Sequence, residues 1–248
     1  MTRLLAIDTS SAWCSVALSL GDSAPQLRHE LVSAGASQCL LPWIENLLAQ
    51  ANQQLSQLDA IAIGIGPGAF TGVRLGLASV QGLAIAANLP VLPVASLDAI
   101  AAQLTKTPHF AKIKPTQFVI AVDARMGEIY WAKYEFNDST FLPLRIGNIQ
   151  LSKPEEIDLR NIQYLAGSAI KEFGERLFVN HSFPSEALDP EISISALGIL
   201  ELAQQMFKAG QQIPVNQLEP LYVRNKVAFT TNEREIAFKK VCGNDYAG

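Results

Sequence analysis

Two aspartates hold corresponding places in the sequence, each at the end of an apolar run that opens a β-hairpin. Asp8 ends the run LLAID and precedes two hydroxyl residues, Thr9 and Ser10, whereas Asp123 ends the run FVIAVD. A carboxylate at a strand tip can bind Mg²⁺ or orient a water molecule, and neighbouring hydroxyls suit contact with phosphate or metal. Aspartate at a strand end also makes turn hydrogen bonds to its own backbone. The residues alone leave both interpretations open.

A glycine-rich segment, GIGPGAFTGVRLG at 64–76, follows an aliphatic run. It lacks the Gly-Lys-Ser/Thr of a phosphate-binding P-loop, and Thr71 stands where the dinucleotide fingerprint needs its third glycine. Backbone N–H groups at the start of a helix beginning at Thr71 could still accept an anion. Alternatively, Gly66, Pro67 and Gly68 only make a tight turn from strand to helix.

The histidines and cysteines form no catalytic or metal-binding pattern. Three of each occur, without the spacing of a zinc site or a redox pair, and the odd number of cysteines is typical of a reducing compartment.

The net charge of -4 argues against a protein that holds nucleic acid by its own positive field. The first apolar run is too short for a signal peptide or a membrane span. We therefore expect a cytoplasmic protein that contacts no membrane.

Apolar periodicity predicts the elements that position these residues. In the first half we expect strands and helices in alternation after an opening hairpin. The predicted strands are Arg3–Thr9, Cys14–Leu20, Gln26–Val32, Asp59–Gly64 and Val91–Val94, and the predicted helices are Ser37–Asn52, Thr71–Ala87 and Ser96–Leu104, the last capped by Ser96. After the polar stretch Thr105–Thr116 the pattern begins again, with strands Phe118–Val122, Glu128–Phe136 and Ile162–Ala166 and a helix Ser193–Ala209.

The sequence thus predicts an α/β fold in which one hairpin-led unit is used twice. We place the first domain at residues 1–104 and the second at 105–224. The last helix, near 193–209, is expected to pack back on the first domain, and residues 225–248 are expected to form a polar tail.

Two predicted helices carry more apolar residues than one core needs. In Ser37–Asn52 the residues Leu41, Ile44, Leu48 and Ala51 form one stripe, and Leu40, Trp43 and Leu47 form a second beside it. In Thr71–Ala87 small residues recur at helical spacing from Gly72 and Gly76 through Ser79 to Leu83, which lets another helix come close. The excess indicates a protein interface. The alternative is that both helices are enclosed within one domain.

Four segments together resemble one family. AIDTSSAWCSVAL, GIGPGAFTGVRLGLASVQGLA, AVDARMGEIYWAKY and LYVRNKVA, in this order, are similar to the TsaB (YeaZ) family, over residues 3 to about 228. The resemblance implies an actin-like ATPase (ASKHA) architecture of two tandem RNase H-like domains with mixed sheets. It also implies a role in making N6-threonylcarbamoyladenosine at position 37 of ANN-decoding tRNAs.

The resemblance implies that the chain is a non-catalytic relative of the catalytic subunit TsaD, which it binds and activates. TsaD carries metal-binding histidines in an H-x-x-x-H motif, and the matching positions here hold Ser96 and Ile100. The resemblance further implies that the ATPase TsaE joins the complex, that TsaC supplies threonylcarbamoyl-AMP, that tRNA is contacted only through the complex, and that the isolated chain forms a homodimer.

The family binds TsaD through its first two helices. The interface residues expected here are Leu40, Leu41, Trp43, Ile44, Leu47, Gly72, Leu75, Gly76, Ser79 and Leu83. No metal or cofactor is certain, although weak binding of ATP or ADP with Mg²⁺ is compatible with the fold. The residues that could keep vestigial nucleotide or phosphate contacts are Asp8, Thr9, Ser10, Gly66, Gly68 and Asp123. The same residues would serve the alternative function, an actin-like ATP-dependent phosphotransferase or a metallopeptidase acting on its own.

Overall fold

The computed structural model describes residues 2–21, 23–32, 35–137, 142–179 and 181–223. The predicted tail, 225–248, lies outside the described residues. Within these described ranges, ten strands fall into two five-stranded sheets, one in each half of the chain.

The first sheet is built from the opening hairpin, a third antiparallel strand and two parallel strands. Its strands are β1 (Arg3–Asp8), β2 (Trp13–Leu20), β3 (Gln26–Leu31), β4 (Ala60–Gly64) and β5 (Val91–Val94), in the order β3-β2-β1-β4-β5. β1 pairs antiparallel with β2 and parallel with β4. The sheet is therefore mixed, with β1 at its centre and β3 at one edge.

The second sheet repeats this arrangement. Its strands are β6 (Gln117–Asp123), β7 (Ile129–Glu135), β8 (Leu144–Ser152), β9 (Tyr164–Ala166) and β10 (Leu188–Asp189), in the order β10-β9-β6-β7-β8. β6 pairs antiparallel with β7 and parallel with β9, as β1 does with β2 and β4. The prediction of a repeated hairpin-led unit with mixed sheets is confirmed, and Asp8 and Asp123 end equivalent strands.

In the described part of the chain, six α-helices cover the sheets. They are α1 (Ala36–Gln50), α2 (Phe70–Ala87), α3 (Ser96–Leu104), α4 (Pro108–Ile113), α5 (Ala169–Phe173) and α6 (Ala196–Lys208). The periodicity predicted α1, α2, α3 and α6 to within a few residues at each end. The polar stretch after α3 is not all loop, because α4 lies in it, with the Thr107 side chain accepting a hydrogen bond from the Phe110 backbone N–H. Strands β8 and β10 and helix α5 were not predicted.

Alternation along the strands assigns each side chain to one of two cores. Leu5 and Ile7 of β1 belong to a cluster that α1 and α2 cover, whereas Leu4 and Ala6 belong to a cluster on the other face of the sheet. The second cluster also contains residues of α3 and α6 and continues into the second sheet through Phe118. A single apolar core thus connects the two sheets.

Helix α6 lies directly on the first sheet and on α3. The backbone N–H of Ala196 donates to the Ser15 hydroxyl at 2.9 Å. A Cβ placed on Gly198 would overlap the carbonyl oxygen of Ala99, so the glycine permits the close approach of α6 to α3. The last helix of the described chain is in this way part of the first domain's packing.

A polar contact joins α3 to the second sheet. The Tyr134 hydroxyl donates to Asp98 Oδ1 at 2.7 Å, and Arg145 Nη1 lies 3.2 Å from Asp98 Oδ2. Burial raises the pKa of the Asp98 carboxyl, while Tyr134 and Arg145 act in the opposite direction. The carboxylate therefore links strands β7 and β8 to a helix of the first half of the chain.

Candidate functional site

The glycine-rich loop connects β4 to α2, and other residues of the same chain pack closely against it. Gly66 has a φ of 96°, and the peptide bond between Gly66 and Pro67 is cis. The Gly66 carbonyl accepts a hydrogen bond from the Ser96 backbone N–H at 2.8 Å, and the Ala69 N–H donates to the Ser10 carbonyl at 2.6 Å. These bonds hold the loop as a tight turn against the end of β1.

The glycines of the loop and of α2 make room for the segment that follows Asp8. A Cβ on Gly68 would overlap the Ser10 carbonyl oxygen, and a Cβ on Gly72 would overlap that of Thr9. At Gly76 a Cβ would lie 2.7 Å from Thr9 Oγ1 and 3.1 Å from Ile63 Cδ1. Gly72 and Gly76, which sequence analysis assigned to a partner interface, thus both approach their own chain, and their place in an interface stays a prediction.

Asp8 is completely buried at the centre of this arrangement. Its Oδ2 accepts a hydrogen bond from the Ser10 backbone N–H at 3.0 Å. Its Oδ1 has no hydrogen-bond partner among the described residues and lies against Gly64, where a Cβ would overlap it. Burial raises the pKa of the Asp8 carboxyl to about 7, although the hydrogen bonds with Ser10 act to lower it.

Mg²⁺ with ATP or ADP does not fit these residues in this arrangement. A Mg²⁺ ligand must be ionised and must reach a partly hydrated ion, whereas Asp8 exposes no surface and its environment favours the neutral acid. Thr9 and Ser10 are also buried, and their carbonyl oxygens lie against the glycines of the loop and of α2. The three residues form a packing centre between the first sheet and α2.

Asp123 occupies the equivalent strand end and has a different environment. Its Oδ1 accepts a hydrogen bond from the Arg125 backbone N–H at 2.8 Å, and its Oδ2 lies 3.3 Å from Arg125 Nη1. Its own N–H donates to the Ser168 hydroxyl at 3.1 Å. The contacts recorded for Asp123 thus lie within the second half of the chain, and in the described part none joins it to Asp8.

The turn that follows Asp123 borders a pocket. Arg125, Met126 and Gly127 all have positive φ, which is uncommon for the first two residue types. The pocket has a volume of about 540 Å³ and is lined by Met126, Gly127, Glu128, Lys153, Glu155 and Arg176. Its lining includes none of the residues predicted to contact nucleotide.

Ser96 and Ile100, the positions expected to match the TsaD metal motif, are inside the protein. Ser96 begins α3 but does not cap it, since Ala95 is the capping residue, and its hydroxyl lies 3.3 Å from that of Ser10. Ile100 belongs to the core that joins the two sheets. Neither side chain can ligate iron or zinc there, and the described residues contain no group of three or more His, Cys, Asp or Glu side chains suited to a metal.

Of the predicted interface residues on α1, four are buried and one is exposed. Leu40, Trp43, Ile44 and Leu47 are buried in the core between the first sheet, α1 and α2, so the chain itself covers them and their place in an interface stays a prediction. They are buried because α1 packs on the first sheet and beside α2. Leu41 is 50% exposed and is available to a partner.

Helix α2 leaves more apolar surface uncovered than helix α1 does. Leu75, Ser79 and Leu83 are half-buried, whereas Ala78 and Ile85 are exposed, Ile85 by 70%. By length and composition alone α2 could cross a membrane, which is weak evidence because core helices of soluble proteins pass the same test. Only 28% of the helix is buried, so an apolar face is left without cover among the described residues.

A cation and two aromatic rings lie at the start of α2, where sequence analysis did not expect a cluster. The Arg74 guanidinium lies 3.4 Å from the centre of the Phe70 ring and 5.8 Å from that of Tyr222. Arg74 Nη2 also donates to the Tyr222 hydroxyl at 2.8 Å. Tyr222 is far from Phe70 and Arg74 in sequence. The sequence signal for the contact was that Phe70 and Arg74 lie in the motif GPGAFTGVRLG and Tyr222 lies in the motif LYVRNKVA.

Comparisons with known proteins agree with this architecture. The family model described as TsaD, tRNA N6-adenosine threonylcarbamoyltransferase, matches residues 30–239. The tRNA threonylcarbamoyladenosine biosynthesis protein TsaB of Escherichia coli is 35% identical over 231 residues, which cover 92% of this chain and 96% of that protein. TsaB of Haemophilus influenzae is 36% identical over 91% of this chain and 95% of its own length.

A solved structure supports the same relationship. YeaZ from Pseudomonas aeruginosa superposes with a TM-score of 0.77 at 33% sequence identity, covering 90% of this chain and 100% of that chain. A second structure from that organism, of a protein described as similar to peptidase YEAZ, gives a TM-score of 0.78 at 34% identity with the same coverage. The chain therefore belongs to the family that the TsaD model describes and, within it, to the TsaB (YeaZ) proteins of tRNA threonylcarbamoyladenosine biosynthesis.

Proposed function

We propose that this chain is the non-catalytic subunit that binds and activates TsaD when N6-threonylcarbamoyladenosine is made at position 37 of ANN-decoding tRNAs. The family supports the pathway, since the relatives are tRNA threonylcarbamoyladenosine biosynthesis proteins. The observation that supports a binding role is the exposed apolar face of α2. An uncovered apolar helix face in a folded domain is typical of a protein interface.

The burial of the candidate site supports a subunit without a transfer activity of its own. Ser96 and Ile100 cannot hold the metal that TsaD uses, and Asp8 is enclosed. Activation would then act through contact, with the exposed α1 and α2 residues packing on TsaD and favouring its active arrangement.

The other partners follow from the same proposal. TsaE joins through the complex, TsaC supplies threonylcarbamoyl-AMP, and tRNA is held mainly by the other subunits, which suits a net charge of -4. The isolated chain forms a homodimer through the same helices, and the protein works in the cytoplasm. The enzyme alternative needs Asp8 as an accessible carboxylate, and its burial disfavours that reading.

One pair of variants tests the interface. Ile85→Asp places a charge on the exposed face of α2, and Leu144→Asp places the same charge at a similarly exposed apolar residue in β8, where Leu144 is 65% exposed. We expect Ile85→Asp to weaken TsaD binding by about tenfold or more and to lower tRNA modification in a reconstituted assay. Leu144→Asp should change neither. Equal TsaD affinity for both variants would contradict the proposal.

A further inference from the structure

Helix α1 begins close to the start of strand β2, because the chain that leads from β3 to α1 is short. The Val32 backbone N–H donates to the Ala12 carbonyl at 3.0 Å, which joins the end of β3 to the start of β2. Only a few residues later, α1 begins at Ala36. The first turn of α1 therefore lies near Trp13 and Cys14, the first two residues of β2.

This placement brings two thiols together, those of Cys14 in β2 and Cys39 in the first turn of α1. Cys14 is buried in the core between the first sheet, α1 and α2, and Cys39 packs against the same core from its margin. The Cys14 side chain is hydrogen-bonded to that of Cys39. Cys39 Sγ in turn donates to the Ala36 carbonyl at 3.7 Å. Because the two cysteines are far apart in sequence, their spacing did not indicate a pair.

The two thiols differ in their exposure to a reagent. Burial, the adjacent Cys39 and the carboxyls of Asp8 and Glu30 all raise the pKa of Cys14, so Cys14 stays a protonated thiol. Cys39 is only partly buried. A partly exposed thiol can react with a small oxidant, whereas a buried one is inert until a reactive sulfur lies beside it. Cys39 is therefore the sulfur that an oxidant meets first.

We propose that Cys14 and Cys39 form an oxidation site, at which hydrogen peroxide converts the two thiols into a disulfide within one chain. The Cys39 sulfur attacks one peroxide oxygen and the O–O bond breaks. The other oxygen leaves as water with the Cys39 proton, and Cys39 becomes a sulfenic acid. This step is independent of the proposed function, because it needs neither TsaD nor tRNA.

The second step closes the bond between the two elements. The Cys14 sulfur attacks the Cys39 sulfur, the S–O bond breaks and the S–S bond forms, and the hydroxyl leaves with the Cys14 proton as a second water. The two sulfurs together lose two electrons, which the peroxide takes up. In a reducing compartment small thiols reverse the bond, as is usual for cytosolic disulfides. Oxidation thus ties the first turn of α1 to β2 reversibly.

Oxidation of the full-length chain tests the bond. Cys242→Ser leaves Cys14 and Cys39 as the two thiols. The folded protein is treated with hydrogen peroxide, freed of it, unfolded and alkylated. We expect both thiols to escape alkylation and a non-reduced digest to contain their two peptides joined, about 2 Da lighter than the reduced pair. Dithiothreitol should restore both thiols. Full alkylation after treatment, or a link between two chains, would overturn the proposal.

Two further variants of the Cys242→Ser chain separate the roles of the two sulfurs. With Cys14→Ser, Cys39 has no partner thiol, so its sulfenic acid should persist and react with dimedone. With Cys39→Ser, Cys14 is alone and buried, and we expect at least about tenfold less dimedone adduct. Equal labelling of the two variants, or stronger labelling of Cys14, would overturn the assignment of Cys39 as the attacking sulfur.

Thermal unfolding shows whether the folded chain holds the two thiols ready to join. A disulfide across a loop of roughly 25 residues restricts the unfolded chain, so oxidation should raise the Tm by about 5 °C. Dithiothreitol should reverse the rise, and peroxide should cause no such rise in the Cys39→Ser variant. A lower Tm in the disulfide form would mean that the bond forms only by distorting α1, and it would overturn the proposal.

Discussion

The hydroxyl of Thr9 donates a hydrogen bond of 2.7 Å to the carbonyl oxygen of Gly72. This bond joins the end of the first strand to the first turn of α2 across 63 positions of sequence. The bond requires the loop and α2 to approach the Thr9–Ser10 backbone closely. Glycine is needed at Gly68 and Gly72 because a side chain at either position would occupy the space of that backbone. The glycine-rich motif therefore serves contact with the strand end of its own chain.

Substituting alanine at two glycines of α2 should have opposite effects. Gly72→Ala drives a methyl group into the Thr9 backbone, and we expect the free energy of unfolding to fall by about 2–3 kcal/mol. Gly82→Ala meets open space and improves helix propensity, so it should raise that free energy by about 0.5–1 kcal/mol. Urea unfolding followed by circular dichroism measures both. Equal effects would contradict the close approach of Gly72 to Thr9.

The buried Asp8 carboxyl should make stability depend on pH. Because folding raises its pKa from 3.8 to about 7, the folded state keeps a proton that the unfolded state has released. This contribution to stability is complete below about pH 4 and is lost as the pH rises toward 7, at about 1.4 kcal/mol per pH unit in between.

The variant Asp8→Asn keeps an acceptor for the Ser10 N–H and cannot ionise. Its free energy of unfolding should therefore change less between pH 4.5 and pH 7 than that of the unmodified protein. Urea unfolding at several pH values measures the two slopes. Parallel curves would show that Asp8 does not titrate in this range.

Sequence patterns predicted those parts of the fold that local periodicity specifies. The two hairpins and the helices α1, α2, α3 and α6 were found because their apolar residues repeat with the period of a strand or a helix. Helix α4 was missed, although Thr107 followed by proline is a helix-start signal, because it has only 6 residues.

The candidate site was predicted less well, because burial depends on neighbours that the sequence does not reveal. Two apolar stripes on α1 indicated a core face and an interface, but the sheet and α2 bury residues of both stripes and leave Leu41 half exposed. The contact between Arg74 and Tyr222 joins residues 148 positions apart, and no local pattern encodes such a distance. Likewise, Asp8 matched a metal ligand by type and position, and only the packing around Gly64 shows that it is enclosed.

The hydroxyl that joins α3 to the second sheet should contribute measurably to stability. Tyr134→Phe removes a buried donor and leaves Asp98 with Arg145 alone, so we expect a loss of about 1.5–3 kcal/mol in the free energy of unfolding. Tyr164 provides a matched control, since its buried hydroxyl has no hydrogen-bond partner among the described residues. Tyr164→Phe should be neutral or slightly stabilising. Similar losses in both variants would show that the bond to Asp98 contributes nothing specific.

Two neighbouring positions on α1 should separate stability from partner binding. Ile44 is buried in the first-domain core, so Ile44→Ala removes packed atoms and should cost about 2–4 kcal/mol of unfolding free energy. Leu41 is half exposed, and Leu41→Asp should change stability by less than about 1 kcal/mol while weakening TsaD binding severalfold. Thermal unfolding and calorimetric titration with TsaD measure the two quantities. If Leu41→Asp left TsaD affinity unchanged, the interface would not extend from α2 onto α1, and the exposed face of α2 alone would have to bind the partner.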